Sequence, residues 1–152
     1  MSDLQGSASP FLPATGIDLV HIPSFGEQLA QPGTRFMDVF SAREQRTANR
    51  KPPFSRTEHL AGRWAAKEAF IKAWSQALYG CPPVVAEEKV DFTEIEVIPD
   101  AFGRVAINLA GHIRQAVDDS IGPVQCSLSI SHDGDYATAI VVLADGIDRL
   151  VR

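Results

Sequence analysis

The strongest helix pattern in the sequence lies in the middle of the chain, from about residue 56 to residue 78. Ser55 and Glu58 have the spacing of a capping box at its start, and Gly80 and two prolines follow its end. Apolar side chains at helical spacing form one stripe, namely Leu60, Trp64, Ile71, Trp74 and Leu78. A second face consists of small residues: Ala61, Ala65, Ala69 and Ala73. Because such a helix has two faces to bury, we predict that it occupies the centre of the fold.

Three charged residues, Lys67, Glu68 and Lys72, interrupt the apolar part of this helix. Glu68 and Lys72 are four residues apart and share one face, whereas Lys67 projects into the apolar stripe. One interpretation is an exposed ion pair, with the ammonium of Lys67 extended into water. The other is a buried, functional carboxylate and amine, which the apolar flanks favour.

Length, composition and charge limit the class of protein. A chain of 152 residues with 45% hydrophobic residues is expected to fold as one domain, after a flexible N-terminal arm over residues 1–14. The net charge of −5 argues against nucleic-acid binding, and no apolar run is long enough to cross a membrane. Cys81 and Cys126 lack metal-ligand spacing and are expected to be free thiols in a cytoplasmic protein.

The residues before the central helix predict one strand and two short helices. Residues 15–22 are mostly apolar and have strand character, with Asp18 in their middle. Because Asp is unfavourable in a strand, Asp18 is interpreted either as a water-facing residue of an edge strand or as part of a functional site. Capping-box pairs begin the short helices: Ser24 with Glu27, and Ser41 with Glu44.

Basic residues cluster around the start of the central helix in this otherwise acidic chain: Arg43, Arg46, Arg50, Lys51, Arg56 and Arg63. Most such runs are solvated faces. The alternative is a site for an anion or for an acidic partner.

The residues after the central helix predict two hairpins with a helix between them. Strand-like segments at 93–98 and 104–109 flank a turn, residues 110–120 are helical, and strands at 124–131 and 136–143 follow. Ser131 lies on a strand face with other serines, and His132 begins the last turn. The fold class is therefore predicted to be α+β, with a mostly antiparallel sheet packed on the long helix in the order β-ααα-ββ-α-ββ.

Two carboxylates on separate elements, Asp18 and Glu68, suggest a metal site. Two carboxylates that leave positions for water suit Mg²⁺, whose coordination is often completed by substrate phosphates. Lys72 lies one turn from Glu68 and could neutralise the same phosphates. These residues indicate phosphoryl or phosphodiester chemistry on a diphosphate substrate.

Several motifs together resemble the holo-[acyl-carrier-protein] synthase family, the small trimeric 4′-phosphopantetheinyl transferases. They are GIDLV at 16–20, GRWAAKEAFIKA at 62–73, SISH at 129–132 and YATA at 136–139. The resemblance extends over residues 15–144 in the same order, and the segment 75–83 is similar to the actinobacterial branch. It implies that residues 15–152 form the transferase domain.

The family resemblance implies a reaction and a role for each matching residue. It implies transfer of 4′-phosphopantetheine from coenzyme A to a serine of apo acyl carrier protein or of a carrier domain of a fatty-acid synthase, releasing adenosine 3′,5′-bisphosphate. Asp18 and Glu68 match the Mg²⁺ ligands, and Lys72 matches the lysine on the coenzyme A phosphates. Arg63 and His132, beside Ser131, match positions near the nucleotide, contributed by different subunits of a homotrimer.

The chemistry of the residues fits this reaction. The carrier serine attacks the phosphate that bears pantetheine, and Glu68, directly or through a water on the metal, takes the serine proton. Lys72 stabilises developing charge, and Mg²⁺ offsets charge on the leaving group.

This sequence departs from the family pattern at two places. Residues 75–79 read SQALY where many relatives have Gly-Thr-Gly, so the loop beside the pantetheine is expected to differ. The first helix carries no Arg or Lys over residues 25–31, so carrier docking is expected to use Arg35, Arg43 and Arg46 or to be less electrostatic.

Two other functions compete with transfer. A non-catalytic module would bind coenzyme A or a carrier without turnover and would keep most of its affinity after Glu68→Gln. A metal-dependent phosphohydrolase would use water instead of the carrier serine and would turn over coenzyme A alone.

Overall fold

The structure, a computed structural model, describes residues 13–146 and has an α+β fold. The strands are β1 Ala14–His21, β2 Ile95–Pro99, β3 Val105–Leu109, β4 Val124–Asp133 and β5 Tyr136–Asp145. The α-helices are α1 Ile22–Ala30, α2 Ala42–Asn49, α3 Pro53–Ala77 and α4 Gly111–Ile121. This order agrees with the predicted one. The predicted arm lies outside the described residues except for its last two positions, of which Ala14 is buried and already belongs to β1.

Two antiparallel sheets pack around α3. One has the order β1-β5-β4, and the other is the β2-β3 hairpin. The predicted small-residue face of α3 is fully buried, and it packs against β1 and β5. The approach is close at Gly16, where a Cβ atom would overlap the carbonyl oxygen of Ala69. A glycine opposite an alanine face therefore holds β1 directly on the central helix.

The central helix begins earlier than the capping box predicted. It starts at Pro53 with Pro52 as its N-cap, and no side chain caps it. Proline is favoured in the first helical turn because its fixed φ is already helical and its missing N–H is not needed there. The predicted Ser55–Glu58 capping box is therefore wrong, whereas the end at Ala77 agrees with the prediction to within one residue.

The two short helices have different N-caps. At α1 the predicted pair of Ser24 and Glu27 is wrong, because the Nδ1 atom of His21 accepts from the Ser24 N–H at 3.3 Å. At α2 the predicted capping box is confirmed, with both reciprocal bonds of Ser41 and Glu44 present. Histidine takes the cap at α1 because β1 runs directly into the helix.

Lys67 is buried in the core and does not extend to solvent. Its side chain is 0% exposed, and its ammonium lies 2.9 Å from the Glu44 carboxylate. Of the two interpretations of Lys67, the extended, solvated side chain is therefore wrong, and the buried amine that the apolar flanks favoured is confirmed. Glu44 is itself buried, so an ion pair that solvent does not reach joins α2 to α3.

No helix within residues 13–146 has the length and apolar character needed to cross a membrane.

Candidate active site

Asp18 and Lys72 form an ion pair where β1 packs on α3. The Lys72 ammonium donates to Asp18 Oδ1 at 2.9 Å and to the Ile17 carbonyl at 3.0 Å. Although β1 is an edge strand of its sheet, Asp18 points toward the helix on the same face as Gly16 and Val20. The Asp18 side chain is 16% exposed and that of Lys72 is 53% exposed, so a ligand from solvent can reach the pair.

Glu68 lies one turn before Lys72 on the same side of α3 and is half-buried. Burial is the main cause that raises the pKa of its carboxyl, and the neighbouring Asp18 carboxylate raises it further. Lys72 opposes this shift, while Glu87 adds to it. Two carboxylates thus lie close enough to repel each other, and Lys72 is paired with Asp18 rather than with Glu68.

Concave regions lie on both sides of Glu68. A cleft of about 330 Å³ between β1, α1 and α3 is lined by Asp18, Trp64 and Glu68. A cavity of about 420 Å³ lies between α3 and residues 81–92, and Glu68 is also in its wall. The lining of this cavity is largely apolar, with Ile71, Trp74, Leu78, Val84, Val85 and Phe92.

The residues at this site fit a magnesium ion. Carboxylate oxygens are hard ligands, and a cation would offset both the burial of the Glu68 carboxylate, the main cause of its raised pKa, and its repulsion from Asp18. Within residues 13–146 no group of three or more His, Cys, Asp or Glu residues could hold a metal. A cation bound by Asp18 and Glu68 would therefore need water or substrate oxygens to complete its coordination, which is the preference of Mg²⁺.

Arg63 belongs to a second, cationic group. It precedes Glu68 by five residues and so lies about 140° around the helix from it. The pKa of His59 is lowered to about 4, mainly by burial and in addition by the charges of Arg63, Lys51 and His132. Arg63 and His132 therefore both lie close enough to His59 to affect its pKa, and Arg63 is about 7.5 Å along the helix axis from Glu68.

His132 faces α3 from strand β4. Its Nε2 atom lies 3.2 Å from the Glu58 carbonyl oxygen, and a Cβ atom at Gly62 would come within 2.8 Å of that nitrogen. Ser131 projects from the opposite face of the sheet, where it is exposed. Of the two neighbours, His132 joins the cationic group and Ser131 does not.

The outer face of the three-stranded sheet exposes large apolar side chains. Ile17 and Leu19 of β1 are 59% and 63% exposed, and Ile140 of β5, the pairing partner of Ile17, is 46% exposed. This face also carries the predicted row of serines, all exposed: Ser127, Ser129 and Ser131. An apolar patch of this kind is typical of a surface that contacts another protein.

The site residues predicted from sequence fall into two spatial groups. Asp18, Glu68 and Lys72 lie together, Arg63 and His132 both lie near His59, and Ser131 belongs to neither group. Sequence reasoning missed His59, although its spacing of four residues from Arg63 was a signal that they share a helix face. It also missed Glu87, which no local pattern connects to Glu68.

Comparison with known families and structures agrees with this fold. The family model described as the 4′-phosphopantetheinyl transferase superfamily matches residues 14–141. That range includes every predicted site residue and extends over nearly all of the described residues. The class of protein that the fold and the site define is therefore this superfamily.

Individual relatives narrow the class. A holo-[acyl-carrier-protein] synthase of Corynebacterium glutamicum is 64% identical over 128 residues, which cover 84% of this chain and 95% of the relative. The solved ACPS–CoA complex of Chronobacterium ammoniagenes has a TM-score of 0.85 at 60% identity and covers 87% of this chain and 96% of that one. The Mycobacterium tuberculosis acyl carrier protein synthase has a TM-score of 0.65 at 38% identity, with 86% and 95% covered. This chain belongs to the holo-[acyl-carrier-protein] synthases, of the actinobacterial type.

Proposed function

We propose that this protein transfers 4′-phosphopantetheine from coenzyme A to a serine of an apo acyl carrier protein or carrier domain. The reaction requires Mg²⁺, releases adenosine 3′,5′-bisphosphate and supplies carriers for fatty acid biosynthesis. The observation that carries the proposal is that Asp18 and Glu68 line one cleft and that Lys72 is paired with Asp18. Similarity to a synthase solved with CoA supports coenzyme A as the donor.

Asp18 and Glu68 would hold the magnesium ion, and Lys72 would bind the diphosphate of coenzyme A. Lys72 is anchored by the Ile17 carbonyl and by Asp18, so its charge is already held beside Asp18 before substrate arrives. When bound, Mg²⁺ would offset the negative charge that develops on the leaving bisphosphate. Positioning by these residues should supply much of the rate.

Glu68 is the proposed general base for the carrier serine. The serine oxygen forms a bond to the phosphorus that bears pantetheine, and the bond from that phosphorus to the bisphosphate breaks. The serine proton goes to Glu68, directly or through water. A carboxyl whose pKa is raised by burial accepts a proton more readily than an ordinary one, which suits this role.

The nucleotide end of coenzyme A would lie on the group formed by Arg63 and His132, and we propose that the enzyme is a homotrimer. On one chain this group lies on a different side of α3 from Glu68, so a site built by two neighbouring subunits can bring both groups to one coenzyme A. The exposed apolar face at Ile17, Leu19 and Ile140 is available for packing against such a neighbour.

Intact-mass spectrometry tests the proposed transfer. Apo acyl carrier protein is incubated with this protein and coenzyme A, with and without Mg²⁺. We expect the carrier to gain one phosphopantetheine only when Mg²⁺ is present. A carrier domain from a large fatty-acid synthase is the second acceptor, because α1 lacks the basic residues that would hold a free acidic carrier.

Two results would contradict the proposal. Failure with both acceptors, together with retained binding of coenzyme A, would leave a binding module. Release of bisphosphate from coenzyme A at the same rate without any carrier would indicate a phosphohydrolase.

A further inference from the structure

A buried lysine next to Glu68 has no part in the proposed transfer. The Lys67 ammonium donates to Glu44 at 2.9 Å, to the Phe92 carbonyl at 2.8 Å and to the Ile95 carbonyl at 2.7 Å. An ammonium has three N–H donors, so these acceptors satisfy it completely. Lys67 is therefore fixed in three directions and cannot reach a substrate without losing buried bonds.

The carboxylate of Glu44 is satisfied as well. One oxygen accepts from the Ser41 N–H and the other from the Val97 N–H, both at 2.9 Å. No buried side-chain nitrogen or oxygen within residues 13–146 is left without a partner. Since a buried ion pair generally stabilises a fold no better than apolar side chains of the same volume, stability alone does not account for this network.

The network ends at the wall of the cavity beside Glu68. Phe92, whose carbonyl Lys67 binds, is the last residue of the segment that closes the cavity beside Glu68. The Phe92 ring packs against Trp64 with 4.9 Å between ring centroids. Trp64 lines the cleft on the Asp18 side, while Phe92 lines the cavity on the other side. The position of Phe92 therefore affects both regions next to Glu68.

We propose that Lys67, paired with Glu44, is a positioning residue that fixes Phe92 and thereby the substrate-binding walls on both sides of Glu68. An apolar side chain could fill the same volume but could not donate to the Phe92 and Ile95 carbonyls. Glu44 balances the charge of the ammonium, whereas the bonds from Lys67 to the two carbonyls set the position of Phe92. The expected effect on the binding of coenzyme A rests on the proposed function, whereas the expected effect on the position of Phe92 does not.

The test compares Lys67→Met with Glu44→Gln. Lys67→Met removes the donor of both carbonyls. Glu44→Gln removes the buried negative charge but leaves the amine, and even a neutral amine has two N–H groups for the two carbonyls. Both variants lose the ion pair, but only Lys67→Met loses the bonds to Phe92 and Ile95, and it also leaves the buried Glu44 carboxylate without its counter-charge. The double variant Glu44→Gln/Lys67→Met removes both buried charges. It is used in place of Lys67→Met if the single variant does not yield folded protein.

Amide hydrogen exchange is the readout that does not depend on activity. For Lys67→Met, we expect faster exchange confined to residues 84–97, with the rest of α3 protected as in the unmodified protein. For Glu44→Gln, we expect that segment to keep its protection. Equal exchange in the two variants, or loss of protection throughout the chain, would mean that the pair contributes stability only.

Kinetics provide the second readout. We expect Lys67→Met to raise the KM for coenzyme A about tenfold, because a misplaced wall weakens substrate positioning, with a much smaller change in kcat. Glu44→Gln should leave KM close to that of the unmodified enzyme. An unchanged KM in Lys67→Met would overturn the positioning role. If the unmodified protein transfers nothing, the proposed function fails, and the exchange experiment still decides the position of Phe92.

Discussion

Helix α3 carries two lysine–carboxylate pairs that differ in how completely they are satisfied. Lys67 and Glu44 are fully buried, and all their buried polar atoms have partners. Lys72 and Asp18 are also 2.9 Å apart, yet more than half of the Lys72 side chain is exposed, and Glu68 is a second carboxylate beside them. We call Lys72–Asp18 the open pair and Lys67–Glu44 the closed pair. The difference teaches that a lysine–carboxylate pair can take part in the proposed chemistry only where solvent and substrate can reach it, whereas a pair with every polar atom satisfied is suited to hold the fold in position.

Neutralising Glu68 should produce the largest change. We expect Glu68→Gln to lower the transfer rate about 10³-fold, because it removes both a proposed metal ligand and the proposed base. The rate is measured by intact mass of the carrier at saturating Mg²⁺. Glu88→Gln, at an exposed position between α3 and β2, is the matched control. Its transfer rate should stay within about twofold of that of the unmodified enzyme. A small effect of Glu68→Gln on the transfer rate would mean that the chemistry does not take place beside the open pair.

Removing the cation of the open pair should have the next largest effect. We expect Lys72→Met to lower kcat about 10²-fold, as the loss of one oriented positive group at a phosphoryl-transfer site does. Lys89→Met, which removes an exposed lysine between α3 and β2, serves as the control. Comparable loss in both variants would point to general charge rather than to the oriented Lys72.

The smallest effect concerns stability against pH. Because the folded-state pKa of Glu68 is raised, the folded protein holds this proton more tightly than the unfolded chain. Stability from Glu68 is therefore fully present below the ordinary carboxyl pKa and is lost as pH rises through the raised folded value. Thermal unfolding should show Glu68→Gln with a Tm near that of the unmodified protein in acid and a few degrees higher near neutrality. A Tm difference independent of pH would count against the raised pKa.

Much of the fold could be predicted because its local signals agree. The alternating segments, the turn residues and the Ser41–Glu44 capping box all gave elements that the structure contains. The other two capping boxes were wrong for a local reason: Pro53 and His21 satisfy the helix starts in ways that a spacing rule does not include. The alanine face correctly predicted close packing because small side chains have few other uses in a buried helix.

The candidate site could be predicted only in part. The pattern located Glu68 and Lys72 on one helix face, but the partner of Lys72 is Asp18, 54 positions away in the sequence. Lys67 illustrates the limit most clearly, since its three acceptors come from two distant segments, Glu44 from one and Phe92 and Ile95 from the other. Such long-range pairing depends on how the strands pack, which periodicity within a single helix does not contain.

Metal binding tests the central claim most directly. Mn²⁺, used as a paramagnetic substitute for Mg²⁺, is titrated in the presence of coenzyme A and followed by electron paramagnetic resonance in the unmodified protein, Glu68→Gln and Glu44→Gln. We predict that the unmodified protein and Glu44→Gln bind Mn²⁺ with similar affinity, whereas Glu68→Gln does not bind it in the same range. Equal binding by Glu68→Gln, or loss of binding in Glu44→Gln alone, would contradict the assignment of the open pair as the catalytic centre.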